Sequence, residues 1–101
     1  MLTSKQRAWL RAQANQMPSQ FQIGKNELSH NLSAGLDEML TTHELLKVTL
    51  LKTVDEPAAD VAQQLAEETG AQIVQVIGRR FILYRYSEKM AKKGKSLQLP
   101  W

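Results

Sequence analysis

The chain has 101 residues, with 13 Lys and Arg against 10 Asp and Glu, two His, no Cys and a formal net charge of +3. That length supports one domain around one core. The missing cysteines exclude disulfides, thiolate zinc sites and a catalytic thiol, and no apolar run reaches the roughly 20 residues of a membrane span. Without a signal-peptide pattern, a cytoplasmic protein is expected.

Thr3 and Ser4 are N-cap candidates for a first helix through about Ala14, with Leu10, Ala14 and Met17 on one side, and Pro18 ends it. Phe21 and Ile23 alternate with Gln20 and Gln22, the pattern of a short half-buried strand. Gly24 breaks that pattern. From Ser29, Leu32, Leu36, Met39, Leu40 and His43 recur at helical spacing. Leu45 to Leu51 is short and apolar and reads as a strand, and Pro57 suits the first turn of the next helix. Ala58, Val61, Ala62, Leu65 and Ala66 form that helix's apolar stripe, closed by Gly70. Ile73–Ile77 and Phe81–Tyr84 are β-rich runs around Gly78-Arg79-Arg80, which predicts a hairpin. The order helix, strand, helix, strand, helix, strand, strand predicts an α/β (α+β) fold. It comprises a four-stranded mixed sheet, parallel pairings through crossovers, an antiparallel final strand and at least two helices on one face. Ser87 to Ser96 is lysine-rich and predicts a mobile basic tail (residues 87–101) after a folded domain of residues 1–86. Its Leu97 and Leu99 are placed to dock as an edge strand, and Trp101 to pack or stack.

The net charge conceals a division. Residues 1–26 carry +4, residues 27–70 carry −7 and residues 71–101 carry +6. Two basic ends on one face would attract a polyanion; charges that simply solvate surface helices would produce the same count. Catalytic chemistry finds no support. His30 and His43 stand thirteen residues apart with no companion at metal-ligand spacing. Asp37 and Glu38 are adjacent and so diverge on a helix. No catalytic residue, metal or cofactor is expected.

One loop is more informative. Phe21-Gln22-Ile23-Gly24-Lys25-Asn26-Glu27-Leu28-Ser29 takes a strand through a glycine and a lysine into a helix start, where backbone N–H groups favour an anion. A plain tight turn with Lys25 and Asn26 exposed is the other reading.

Four blocks follow in order: Leu2 to Arg7, Gln22 to Leu28, His43 to Val48, and Val74 to Gly78 with Leu83-Tyr84-Arg85. Together they resemble the YhbY-type CRM domain, the chloroplast RNA splicing and ribosome maturation family, over about Leu2 to Arg85, with a further likeness at Leu97-Gln98-Leu99-Pro100. The resemblance implies a fold similar to the C-terminal domain of translation initiation factor three. It also implies RNA binding, with large-subunit ribosomal RNA or a pre-ribosomal particle as partner; no membrane partner is expected, and the sequence leaves the oligomeric state open with a monomer favoured. Gly24, Lys25 and Asn26 match the first three positions of the family's Gly-x-x-Gly loop, a KH-like backbone clamp. Glu27 departs from the fourth, which puts a carboxylate where close backbone approach is usual. The expected RNA-binding residues are therefore Lys5, Arg7 and Arg11, then Gly24, Lys25 and Asn26, then Lys47, Arg79, Arg80 and Arg85, with the lysine tail behind them. The alternative function is a protein-interaction adaptor using the acidic stretch Asp55 to Glu68 and the apolar tail.

Overall fold

The computed structural model describes residues 2–28 and 32–100, apart from the side chains of Glu27 and Leu28. The expected N-cap Ser29, together with His30 and Trp101, lies outside the described residues.

Helix α1 (Ser4–Asn15) starts in a capping box. The Thr3 hydroxyl accepts from the Gln6 N–H at 3.1 Å, and the Gln6 side-chain oxygen accepts from the Thr3 N–H at 3.1 Å. Strand β1 (Phe21–Ile23), the single turn α2 (Lys25–Leu28), helix α3 (Leu32–His43) and strand β2 (Leu45–Leu50) follow. Helix α4 (Ala58–Thr69) begins just after Pro57, which serves as its N-cap, and closes on Gly70 in the left-handed conformation at φ 73°. Strands β3 (Gln72–Ile77) and β4 (Arg80–Tyr84) form the hairpin, and α5 (Glu88–Lys92) completes the chain.

The sheet order is β1-β2-β4-β3. β1 and β2 pair in parallel, while β4 is antiparallel to both β2 and β3. The β2 and β3 strands thus share a direction without touching. The α4 crossover leaves a gap one strand wide, and the tight hairpin returns β4 into it, a split βαβ unit. The expected mixed sheet is present, with one parallel pairing.

Alternation along β2 divides the core. Leu46, Val48 and Leu50 meet Leu36 and Leu40 of α3 and Val61 and Leu65 of α4 on one face. On the other face Leu45 joins Val74, Ile82 and Tyr84 beneath Leu10 and Ala14 of α1. The helices therefore occupy both faces: two as expected, and α1 opposite them. A register irregularity between Ile73 and Gln75 in β3 sets the side on which Gln75 and Ile77 fall.

The basic tail is folded back, in place of the free arm that its lysines suggest. Ser87 caps α5 by accepting from the Met90 N–H at 3.3 Å. The cause of the docking is Glu44, fully buried just after α3. Its carboxylate accepts from the Ser87 N–H at 2.8 Å, the Ser96 hydroxyl at 2.7 Å and the Leu97 N–H at 2.8 Å. Three charge-assisted bonds satisfy the buried carboxylate and fix the chain. Leu97 and Leu99 then pack against the α1-side core through side chains, without becoming a strand. Glu44 is also the one described non-glycine residue with positive φ, 64°, where its backbone turns α3 into β2.

Candidate nucleic-acid interface

Because β1, β2 and β3 point the same way, the segments that leave them gather at one end of the sheet. Those segments are Gly24–Lys25, Leu51–Thr53 and Gly78–Arg79, and hydrogen bonds hold them together. Leu51 N–H donates to Ile23 O at 2.8 Å, and Leu50 N–H to Arg79 O at 2.7 Å. The Arg79 guanidinium donates to the carbonyls of Leu51 and Val54, both at 3.3 Å. Gly78, at φ 56°, is the only central hairpin residue with positive φ, the pattern of a type II′ turn.

That end exposes Lys25, Lys52, Arg79 and Arg80. Among the described residues, the side chains of Lys25, Lys52 and Arg80 have no partner. Lys52 was not among the expected contacts. It becomes a candidate only once the topology places the turn after β2 beside the other two. Asp55 and Glu56 are also exposed, just beyond that turn, and limit the cluster on the α4 side.

The Gly24 loop takes a form different from the expected anion cradle. The Lys25 N–H, the first donor a phosphate would meet, donates to Thr53 Oγ1 at 3.1 Å. Gly24 is buried and the turn that follows is four residues long. The positive charge exposed at this end is therefore carried by side chains. Asn26 is exposed beside Lys25, and the side chain of Glu27 lies outside the described residues.

Two α1 cations lie on a stripe that leads toward the hairpin. Arg7, Arg11 and Asn15 stand at four-residue spacing and so share one stripe. Arg7 is half-buried, its guanidinium donating to Ile73 O at 2.5 Å on edge strand β3. Lys5 and Arg11 are exposed, their side chains without a partner among the described residues. Asn15, at the end of the stripe, lines one shallow cavity with Ile77 and Arg80 of the hairpin.

The structure occupies two expected contacts elsewhere. Lys47 is half-buried, and its ammonium donates to the carbonyls of Ala14 at 3.3 Å and Met17 at 3.1 Å where the chain leaves α1, the Ala14 carbonyl also accepting from the Met17 N–H at 3.0 Å. Arg85 lies at the opposite end of the sheet. It is ion-paired with Asp37 and donates to Asp37 O and Thr41 Oγ1, both at 2.9 Å, and to Thr69 O at 2.7 Å. Both charges are spent on holding helices. The second basic segment divides: Arg79 and Arg80 join Lys25, whereas Lys89, Lys93 and Lys95 surround a cavity of about 140 Å³ with Thr41 and Thr42, beside the C-terminus of α3. The apolar tail of the adaptor alternative is half-buried, with Leu97 and Leu99 packed against the α1-side core. His43 ends α3 with Nδ1 2.8 Å from Thr42 Oγ1. Among the described residues no three His, Asp or Glu side chains gather as a metal site.

Comparison with known proteins places this arrangement. Residues 2–85 match the family model of the CRS1 / YhbY (CRM) domain. The Bacillus subtilis protein YqeI, named a probable RNA-binding protein, is 37% identical over 100 residues, 99% of this chain and 100% of that one. A Haemophilus influenzae RNA-binding protein is 31% identical over 98% of this chain and 95% of its own length. Among solved structures, the hypothetical protein SAV1595 of Staphylococcus aureus superposes with a TM-score of 0.76 at 35% identity, covering 99% of this chain and all of that one. With its four-stranded mixed sheet and a family match over nearly its whole length, this chain belongs to the CRS1 / YhbY (CRM) domain family.

Proposed function

We propose that this chain is an RNA-binding protein that acts on large-subunit ribosomal RNA during subunit assembly, without catalysing a reaction. The observation that carries the RNA reading is the exposed, unpartnered cations Lys25, Lys52 and Arg80 at one end of the sheet, with Arg79 beside them and Arg11 exposed on the α1 stripe that leads there. Side chains carrying charge without an internal partner are placed to neutralise backbone phosphates, and such contacts are tolerant of sequence. The names of the Bacillus and Haemophilus relatives support the same partner. The ribosomal assignment rests on the family likeness. Crosslinking in cells followed by sequencing of the bound RNA tests it. Crosslinks concentrated in large-subunit ribosomal RNA are expected, and an even scatter over messengers would overturn the ribosomal assignment.

A further inference from the structure

Helix α1 covers only part of its face of the sheet. Beyond its last residue, Asn15, the face opens into a notch of about 90 Å³, walled by Asn15, Lys47, Gln75, Ile77, Arg80 and Ile82. Its composition is unlike that of a phosphate site. Ile82 is buried in the floor, whereas Ile77 is 61% exposed, the most exposed of the large aliphatic side chains described. An apolar floor is a poor host for a fully charged group. The rim carries two carboxamides, Asn15 and Gln75, each able to donate and accept, and neither side chain is engaged among the described residues. Arg80 brings a planar guanidinium with no internal partner. Lys47 is held at the wall by its bonds to Ala14 and Met17.

We propose that this notch receives one unpaired nucleobase, so that the protein prefers single-stranded or looped RNA to a duplex. A base offers an apolar face for Ile77 and for stacking on the Arg80 guanidinium, with a polar edge for the Asn15 and Gln75 amides. The surrounding charge suits a nucleic-acid strand. Arg11 stands one turn before Asn15 on the same stripe of α1, and Arg80 stands at the hairpin wall, so a strand over the notch meets cations from both. An A-form duplex keeps its bases stacked and paired and has none to insert. The inference rests on the RNA-binding reading above and adds a structural preference to it.

The test compares the whole protein with its Ile77→Ser and Asn15→Ala variants, both at exposed positions, after matched thermal melts verify folding. The probes are an unstructured RNA of about ten nucleotides and the same sequence in a duplex, at fixed salt. The expected result is tighter binding of the single strand by the unaltered protein. Each variant should lose about fivefold or more on the single strand, lose nothing on the duplex, and keep the same salt dependence. Equal binding of single strand and duplex by the unaltered protein would overturn the proposal, as would variants that bind both probes unchanged; salt-dependent RNA binding would then still stand. Failure of the unaltered protein to bind either probe would defeat the RNA-binding reading itself.

Discussion

The two ends of the sheet use charge in opposite ways. At the end where the strand β3 turns into β4, Lys25, Lys52 and Arg80 extend into solvent without internal partners. At the other end Glu44 and Arg85 are among the most heavily bonded side chains of the molecule, and each ties together segments about fifty residues apart in the chain. One end spends charge on the fold, and the other leaves it available for a ligand. A count of basic residues cannot separate these uses. Hydrogen-bond partners can.

The largest effect is expected at the bonded end. Glu44→Leu removes a buried acceptor and leaves the Ser87 and Leu97 N–H groups unpaired. Each such loss costs about 1–3 kcal/mol, so a destabilisation of about 3 kcal/mol or more is expected in urea unfolding. Residues 87–97 should become open to protease at the same time. A loss below about 1 kcal/mol would show that the tail is held by Leu97 and Leu99 and not by the carboxylate. Arg85→Ala should cost less, about 2 kcal/mol, mainly through its charged bonds to the carbonyls of Asp37 and Thr69. The Asp37 carboxylate is itself exposed, so solvent screens its ionic share. Thr3→Ala removes half of the α1 capping box and should cost about 1 kcal/mol in the same measurement.

A smaller effect depends on pH. Burial, then the nearby Glu44 carboxylate, then Tyr86 raise the Tyr84 hydroxyl above its ordinary value of 10.0. The folded state therefore keeps this proton after the unfolded chain has begun to lose it. Stability should be unaffected by this group below about pH 10 and should fall as pH rises through the folded value. Tyr84→Phe should flatten that part of the urea-midpoint profile between about pH 9 and 11, and an unchanged slope would contradict the assignment.

Much of the fold was legible locally. Thr3 and Gln6 stand at capping-box spacing, the apolar stripe from Ala58 to Ala66 announces α4, and Gly78 marks the hairpin. What escaped depends on partners distant in sequence. Glu44 looks like a helix-end acid, because the serines and backbone groups that bury it lie 43 to 53 residues later. A lysine-rich segment reads as mobile when its anchor is unseen. The same distance hides the partners of Lys47 and Arg85, whose charge is visible in the sequence while the carbonyls that hold it are not. Lys52 was overlooked for the reverse reason. It sits in the acidic middle of the chain and joins the basic cluster only when β2 runs alongside the other strands.

The central claim is that unpartnered cations at the hairpin end contact RNA while the bonded ones hold the fold. Its most direct test is the slope of log affinity against log salt for one RNA, measured for a Lys25→Ala, Lys52→Ala double variant and for Arg85→Ala. With two phosphate contacts removed, the double variant should lose about two units of slope at unchanged stability. Arg85→Ala should keep the full slope while its stability falls. A double variant with the original slope, or an Arg85→Ala slope that drops as far, would contradict the account.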